Sequence, residues 1–330
     1  MTLPNPRRIP RARRALIALA LPALTLAAVA VPAAAAPDTG GATWTADLST
    51  ANPDSSNVAT DGRTLRLGGG PAEQASARTG ERTGLFVFDP HTLARPTASV
   101  EADLVGSVPT GAELAVDVRG TRIDGSWTEW VEATSGGHAV LSEATTRVQV
   151  RAVLTAPFGA AGPELRKLTL TASSSTARAD LAPAARSYKV YATREGLVGG
   201  TTANGHKITN RDHFVALPSR RGLSANGSHT YSVRVCAASG RCETAPVWDI
   251  GPWNTIDDYW NPSTQRQSWR DLPQGRPEAQ AAYQNGYNGG HDQFGRHVSN
   301  PAGIDLADGT FWDGLKLTDN AWVTVTYLWT

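Results

Sequence analysis

Two cysteines and one methionine are all the sulfur in this chain of 330 residues. No Cys-x-x-Cys spacing and no second cysteine pair are present, which argues against a redox or metal-binding pair. Charge of one sign is also lacking: 31 Lys and Arg face 30 Asp and Glu, for a net +1. A balanced surface has no counterion-release drive toward nucleic acid and no polybasic attraction to anionic lipid. Beyond the N-terminal region no apolar run reaches the roughly 20 residues of a membrane helix. Phosphate cradles, nucleophile elbows and Cys–His pairs are missing too. Asp212, His213, His291, Asp292 and His297 lack the i, i+4 spacing of a helical metal site, so no metal or cofactor is expected.

What is present begins with an export pattern. Arg7, Arg8, Arg11, Arg13 and Arg14 precede an apolar stretch from Ala15 to Val31, which closes on small residues at Ala33 to Ala36. A basic region, an apolar region and an Ala-x-Ala site make a secretory signal over residues 1–36, with cleavage expected near Ala35–Ala36. The general secretory route is expected, and Arg13-Arg14 leaves the twin-arginine route open. The mature chain is then expected outside the cell, soluble and with no membrane span. In that compartment Cys236 and Cys242 are expected to pair. Their flanks alternate like strands, so the bridge would staple a hairpin across its turn.

From Trp44 to Ala172 the chain alternates apolar and polar residues in segments such as Glu113-Leu-Ala-Val-Asp-Val-Arg and Thr146-Arg-Val-Gln-Val-Arg-Ala-Val-Leu. Gly, Pro and Asp separate them, the pattern of an all-β sandwich over residues 37–172. Residues 173–187, rich in Ser, Ala, Arg and Pro, read as a linker. Tryptophan usage then shifts: seven of the ten lie beyond residue 247, which suits a small aromatic core or a sugar-stacking surface. Pro277-Glu-Ala-Gln-Ala-Ala-Tyr is the one helix-friendly stretch, with Pro at a first-turn position.

Gly125-Ser-Trp-Thr-Glu-Trp-Val-Glu and Arg147-Val-Gln-Val-Arg-Ala-Val-Leu resemble the galactose-binding-like jelly-roll modules attached to secreted carbohydrate-active enzymes. Alternation places Trp127 with Glu129 and Val131, and Trp130 with Thr128 on the other face. One Trp is expected in the core and one at the rim, since large aromatics usually supply core area. The resemblance implies an anchor to glycan or cell wall.

Four segments over residues 188–330 resemble the rare-lipoprotein-A-like double-psi β-barrel, a fold shared with expansins and barwins. They are Gly199-Gly-Thr-Thr-Ala-Asn-Gly205, His213-Phe-Val-Ala-Leu-Pro-Ser219, Val247-Trp-Asp-Ile-Gly-Pro-Trp253 and Gly303-Ile-Asp-Leu-Ala307, in the family's order. The resemblance implies a six-stranded barrel and implicates Asp249, His213 and Asp305 as catalytic groups. On the residues alone, Asn204-Gly205 is a tight-turn pair and Gly251-Pro252 ends a strand. Asp249 would sit at a barrel rim, facing ligand or capping a turn through nearby amides. Asp305 interrupts an apolar run: it is either a buried carboxyl that holds its proton more readily, which suits a general acid, or a cap of the short segment Leu306 to Gly309. The sequence departs from the family at His206, which replaces an acidic residue, at the placement of His213, and at Ile250, which replaces an arginine.

Roughly fifty residues separate Asp249 from Asp305, more than the family usually has, and loops of that size are commonly functional or disordered. Aromatics in this stretch argue against disorder. Trp253, Trp260, Tyr259 and Asn204 are the expected substrate-binding residues, with packing beneath the loop as a satellite core the alternative for Trp253 and Trp260. Peptidoglycan or another polysaccharide is the expected partner, with cleavage in the manner of a lytic transglycosylase or glycoside hydrolase left open. The alternatives are a non-catalytic, expansin-like binder and an inhibitor of a secreted papain-type protease, since secreted barrels of this fold include such inhibitors.

Overall fold

A computed structural model describes residues 41–69, 80–133, 137–174 and 185–330. The signal segment 1–36 and most of the expected linker (175–184) lie outside the described residues. The described chain is nearly all β.

The first strands are β1 (Ala42–Thr45), β2 (Val58–Thr60), β3 (Leu65–Leu67), β4 (Glu81–Val87) and β5 (His91–Ser107). They are followed by β6 (Glu113–Gly120), β7 (Val131–Glu132), β8 (His138–Pro157) and β9 (Glu164–Ser174). These nine form one antiparallel sheet, ordered β2-β3-β9-β5-β8-β6-β7, with β1 on β9 and β4 on β8. Register shifts in the long β5 let the sheet curl. Val100, Ala102, Val116, Val118, Val148, Val150, Leu154, Leu168 and Leu170 pack inside the curl.

The second body is a closed barrel of β10 (Arg186–Arg194), β11 (Val215–Leu217), β12 (Ser232–Ala237), β13 (Cys242–Ile250), β14 (Ala302–Leu306) and β15 (Ala321–Tyr327). Its order is β10-β14-β11-β13-β12-β15, with β10–β14 and β11–β13 parallel and the other pairs antiparallel. This mixed six-strand closure is compatible with a double-psi barrel. Alternate residues fill the interior: Val190, Ala192, Val215, Leu217, Val233, Val235, Ile304, Leu306, Val323 and Val325. Cys236 and Cys242 face each other across the β12–β13 hairpin and are joined by a disulfide. Helix α1 (Glu278–Asn285) begins after Pro277 and stops at Gly286, which takes the left-handed conformation common at helix ends.

The alternating strands of the sheet have no solvated polar face where they meet the barrel. On β6, Val116 and Val118 point into the curl, while Asp117 and Arg119 point the other way and are just as buried. Asp117 holds Arg151 at 2.8 Å and Arg220, from the turn after β11, at 3.2 Å. Arg220 also reaches Glu132 at 2.6 Å. Trp130 is buried against barrel residues, and the indoles of Trp260 and Trp329 both donate to Glu129. Paired charges and shared apolar contacts therefore weld sheet and barrel together. Trp127 is half-buried, so one Trp of the pair is core and the other rim.

Candidate functional site

The barrel register brings the two aspartates onto one rung. Thr193 of β10 pairs with Asp305 of β14, Asp305 with Ala216 of β11, and Ala216 with Asp249 of β13. Neighbours on a rung share a face, and two strand spacings separate the aspartates by roughly 10 Å. That face is the outside of the barrel wall, because Leu306, Val215 and Leu217 on adjacent rungs point inward. Asp305 interrupts its apolar run for this reason: the strand is covered on both sides, by the barrel core and by the 251–301 insertion.

The two carboxylates have different surroundings. Asp249 is 4% exposed and accepts bonds from the amides of Ala203 (2.7 Å) and Ile250 (2.9 Å). It ties the Thr202–His206 turn to the end of β13. Asp305 is 2% exposed, accepts the Thr193 hydroxyl, and lies at the floor of a pocket of about 360 Å³. Thr193, Trp253, Arg296, Asn300 and Asn320 are among the lining residues, and Asp249 is not.

Trp253 follows Gly251-Pro252, with its backbone in the left-handed region (φ 61°). Its indole donates to Asn300 Oδ1 at 3.1 Å, and its carbonyl accepts from Arg296 at 2.6 Å. Asp292 pairs with Arg296 at 2.6 Å, which holds that guanidinium at the pocket wall. Asn254, also part of the lining, accepts from the Gln293 amide and donates to Glu278 at 2.8 Å. Burial pushes the Glu278 carboxyl up to about 7, Asp257 and Asp292 add to the rise, and the Asn254 bond opposes it. This bonding makes the insertion an ordered cover rather than a loose loop.

His213 does not line this pocket. It lies three residues before Ala216, about 10 Å along the strand. Its half-exposed ring bonds Glu243, at the start of β13, at 2.7 Å.

Three of the expected ligand contacts are corrected by burial. Trp260 and Tyr259 are fully buried. Trp260 stacks on Tyr327, and Tyr259 bonds Tyr327 and the Gly303 carbonyl, so both rings extend the barrel core and offer no face to a sugar. Asn204 is 1% exposed. Its side chain accepts from Thr202 and His206 and donates to Ser224, so it locks the turn from within. Gly205 completes that turn with φ 89°, and a Cβ there would meet Ser56 of the sheet at 2.7 Å.

Thr193, Arg194, Arg296, Asn300 and Asn320 were not legible as site residues. Each belongs to a strand end or turn with no motif, and only the insertion's folded path brings Trp253, Arg296 and Asn300 to the end of β14. No group of three or more His, Cys, Asp or Glu among the described residues is placed to hold a metal ion.

A search of curated proteins returns no match to this chain. Across residues 186–326, from the first barrel strand to the last, the chain is similar to the family described as Domain of unknown function (DUF8814).

Proposed function

We propose that this chain is a secreted polysaccharide-binding protein of the bacterial cell-wall type, whose barrel takes glycan into the pocket above Asp305. The observation that carries the reading is the pocket's chemistry. A buried carboxylate, an indole and side-chain amides of asparagine converge on about 360 Å³. Sugars offer hydroxyls to carboxylates and amides and present apolar C–H faces to aromatic rings, and pockets pairing an apolar wall with a few fixed polar groups are the usual form of a ligand site. The four motif segments that resemble rare-lipoprotein-A-like barrels support the same reading. So do the disulfide and the export pattern, which fit an extracytoplasmic setting.

Binding is favoured over hydrolysis. A hydrolase of the two-carboxylate kind needs a second acid flanking the bond, and among the described residues Asp305 is the one carboxylate lining the pocket. Asp249 is committed to the turn amides. A lytic step, which needs a proton donor and then a base, would fall to Asp305.

The test is retention of the purified mature chain on insoluble peptidoglycan, with mass spectrometry of any released fragments. Retention should weaken in Trp253→Ala and Asp305→Asn. Anhydro-sugar products absent from the Asp305→Asn reaction would add catalysis to binding. Retention on no polysaccharide would overturn the proposal.

A further inference from the structure

The surface beside the Asp305 pocket continues past Arg194. That residue lines the pocket, and its guanidinium carbon lies 4.5 Å from the centre of the Trp312 ring. Arg211 lies over the same ring at 4.6 Å. A second depression, of about 440 Å³, opens here between Arg211, Trp312, Asp313 and Lys316. One segment borders both hollows: Lys316, Leu317 and Thr318 line the second, and Asn320 lines the first. Arg194 and Trp312 thus stand as a shared wall between neighbouring parts of one surface.

The charges along this wall are loosely held. The side chains of Arg194 and Arg211 are 43% and 53% exposed, and each meets a carboxylate, Asp308 and Asp313 respectively, at 3.5 Å. Lys316 has no ion pair among the described residues. Three cations therefore face two carboxylates at the long end of hydrogen-bond reach. The backbones of Arg211 and Lys316 are both left-handed, at φ 65° and 56°. Long side chains take that conformation at an energetic cost, and such positions concentrate at ligand sites.

We propose that this strip is a subsite for carboxylate-bearing sugar units, so that the ligand is an acidic glycan chain running from the Asp305 pocket across Trp312. The proposal rests on the glycan reading above and names the class of glycan. A guanidinium can give a carboxylate two parallel N–H bonds, and Lys316 supplies a compact point charge beside it. The indole packs against both guanidiniums and so holds the two charges close together on one surface. A neutral chain can accept hydrogen bonds from these donors but brings no opposite charge, so it gains less from them.

The test titrates the mature chain by calorimetry with two probes of equal length. One is glycan strand freed of its stem peptides, with ionised lactyl carboxylates. The other is neutral chitooligosaccharide. Arg211→Gln/Lys316→Gln removes both charges while keeping polar side chains, and its fold is checked by its melting curve. The wild type should bind the acidic strand more tightly, and the double variant should lose about three- to tenfold on that strand and clearly less on the neutral one. The acidic preference should shrink as salt shortens the screening length. Equal affinity for both probes in the wild type, or equal losses in the variant, would overturn the subsite and leave the pocket standing. Acidic binding that survives Trp253→Ala yet falls in the double variant would overturn the pocket and leave the strip. Binding of neither probe would overturn both.

Discussion

Replacing Asp117 by Asn probes the weld between sheet and barrel. Asp117 is 1% exposed and answers two arginines, Arg151 at 2.8 Å and Arg220 at 3.2 Å. Asparagine keeps the shape and removes the charge. Arg220 would keep Glu132 at 2.6 Å, so its charge stays compensated. Arg151 would keep only the Arg220 carbonyl at 2.7 Å and the face of Trp130 at 4.4 Å. One buried guanidinium is then left without a counter-charge, and breaking a buried pair in this way costs about 3–5 kcal/mol. The surviving contacts place Asp117→Asn near 3 kcal/mol. The described residues form one compact unit, and at about 2 °C per kcal/mol for a unit of this size the melting temperature should fall by about 6 °C.

Scanning calorimetry should show a single transition that moves as a whole, because Asp117 and Arg151 lie on the sheet face that packs against the barrel, where Arg220 also bonds Asp117. The acid limb should change as well. Burial pushes the Asp117 carboxyl up, but Arg220 and Arg151 outweigh it and hold the group below its ordinary value. Its contribution is therefore present above pH 4 or so and is lost as the pH falls further, and Asp117→Asn should flatten that loss. A drop below 1 °C, or a barrel that melts at its wild-type temperature while the sheet melts early, would refute the argument.

Glu278 carries the opposite sign. Held up at about 7 by burial, it keeps a proton that the unfolded chain releases near 4.5, so stability should decline as pH rises between those values and level off above. Glu278→Gln should remove the decline, by at most about 3 kcal/mol, as read by amide exchange in α1 from pH 5 to 8. The Cys236–Cys242 bridge closes a short loop, so the double serine variant should lose only about 2 kcal/mol, seen as a small melting shift that matches the effect of reductant on the wild type. Trp260→Ala should cost about 3–5 kcal/mol by opening a cavity in the core and should leave glycan affinity unchanged in the fraction that remains folded, whereas a specific loss of affinity would return Trp260 to the binding surface.

Local chemistry made several features legible in advance. Period-two alternation marks strands whatever they pack against, which is why Glu113–Arg119 and Thr146–Leu154 read correctly as β. The tight turn at Asn204-Gly205, the strand end at Gly251-Pro252, the hairpin disulfide and the helix after Pro277 depend on neighbours in sequence, and each was readable from them. Tertiary structure alone decided what each strand face meets. The polar side of β6 reads as a solvated face, yet it is the buried seam with the barrel, because Arg220 arrives from a turn a hundred residues away. Trp260 and Trp253 look alike as exposed-loop aromatics. The path of the insertion sends one into the barrel core and leaves the other beside Asp305. Asp249 and Asp305 share a rung through the interleaved pairing of β11, and a pairing between distant strands is written in no local stretch of the chain.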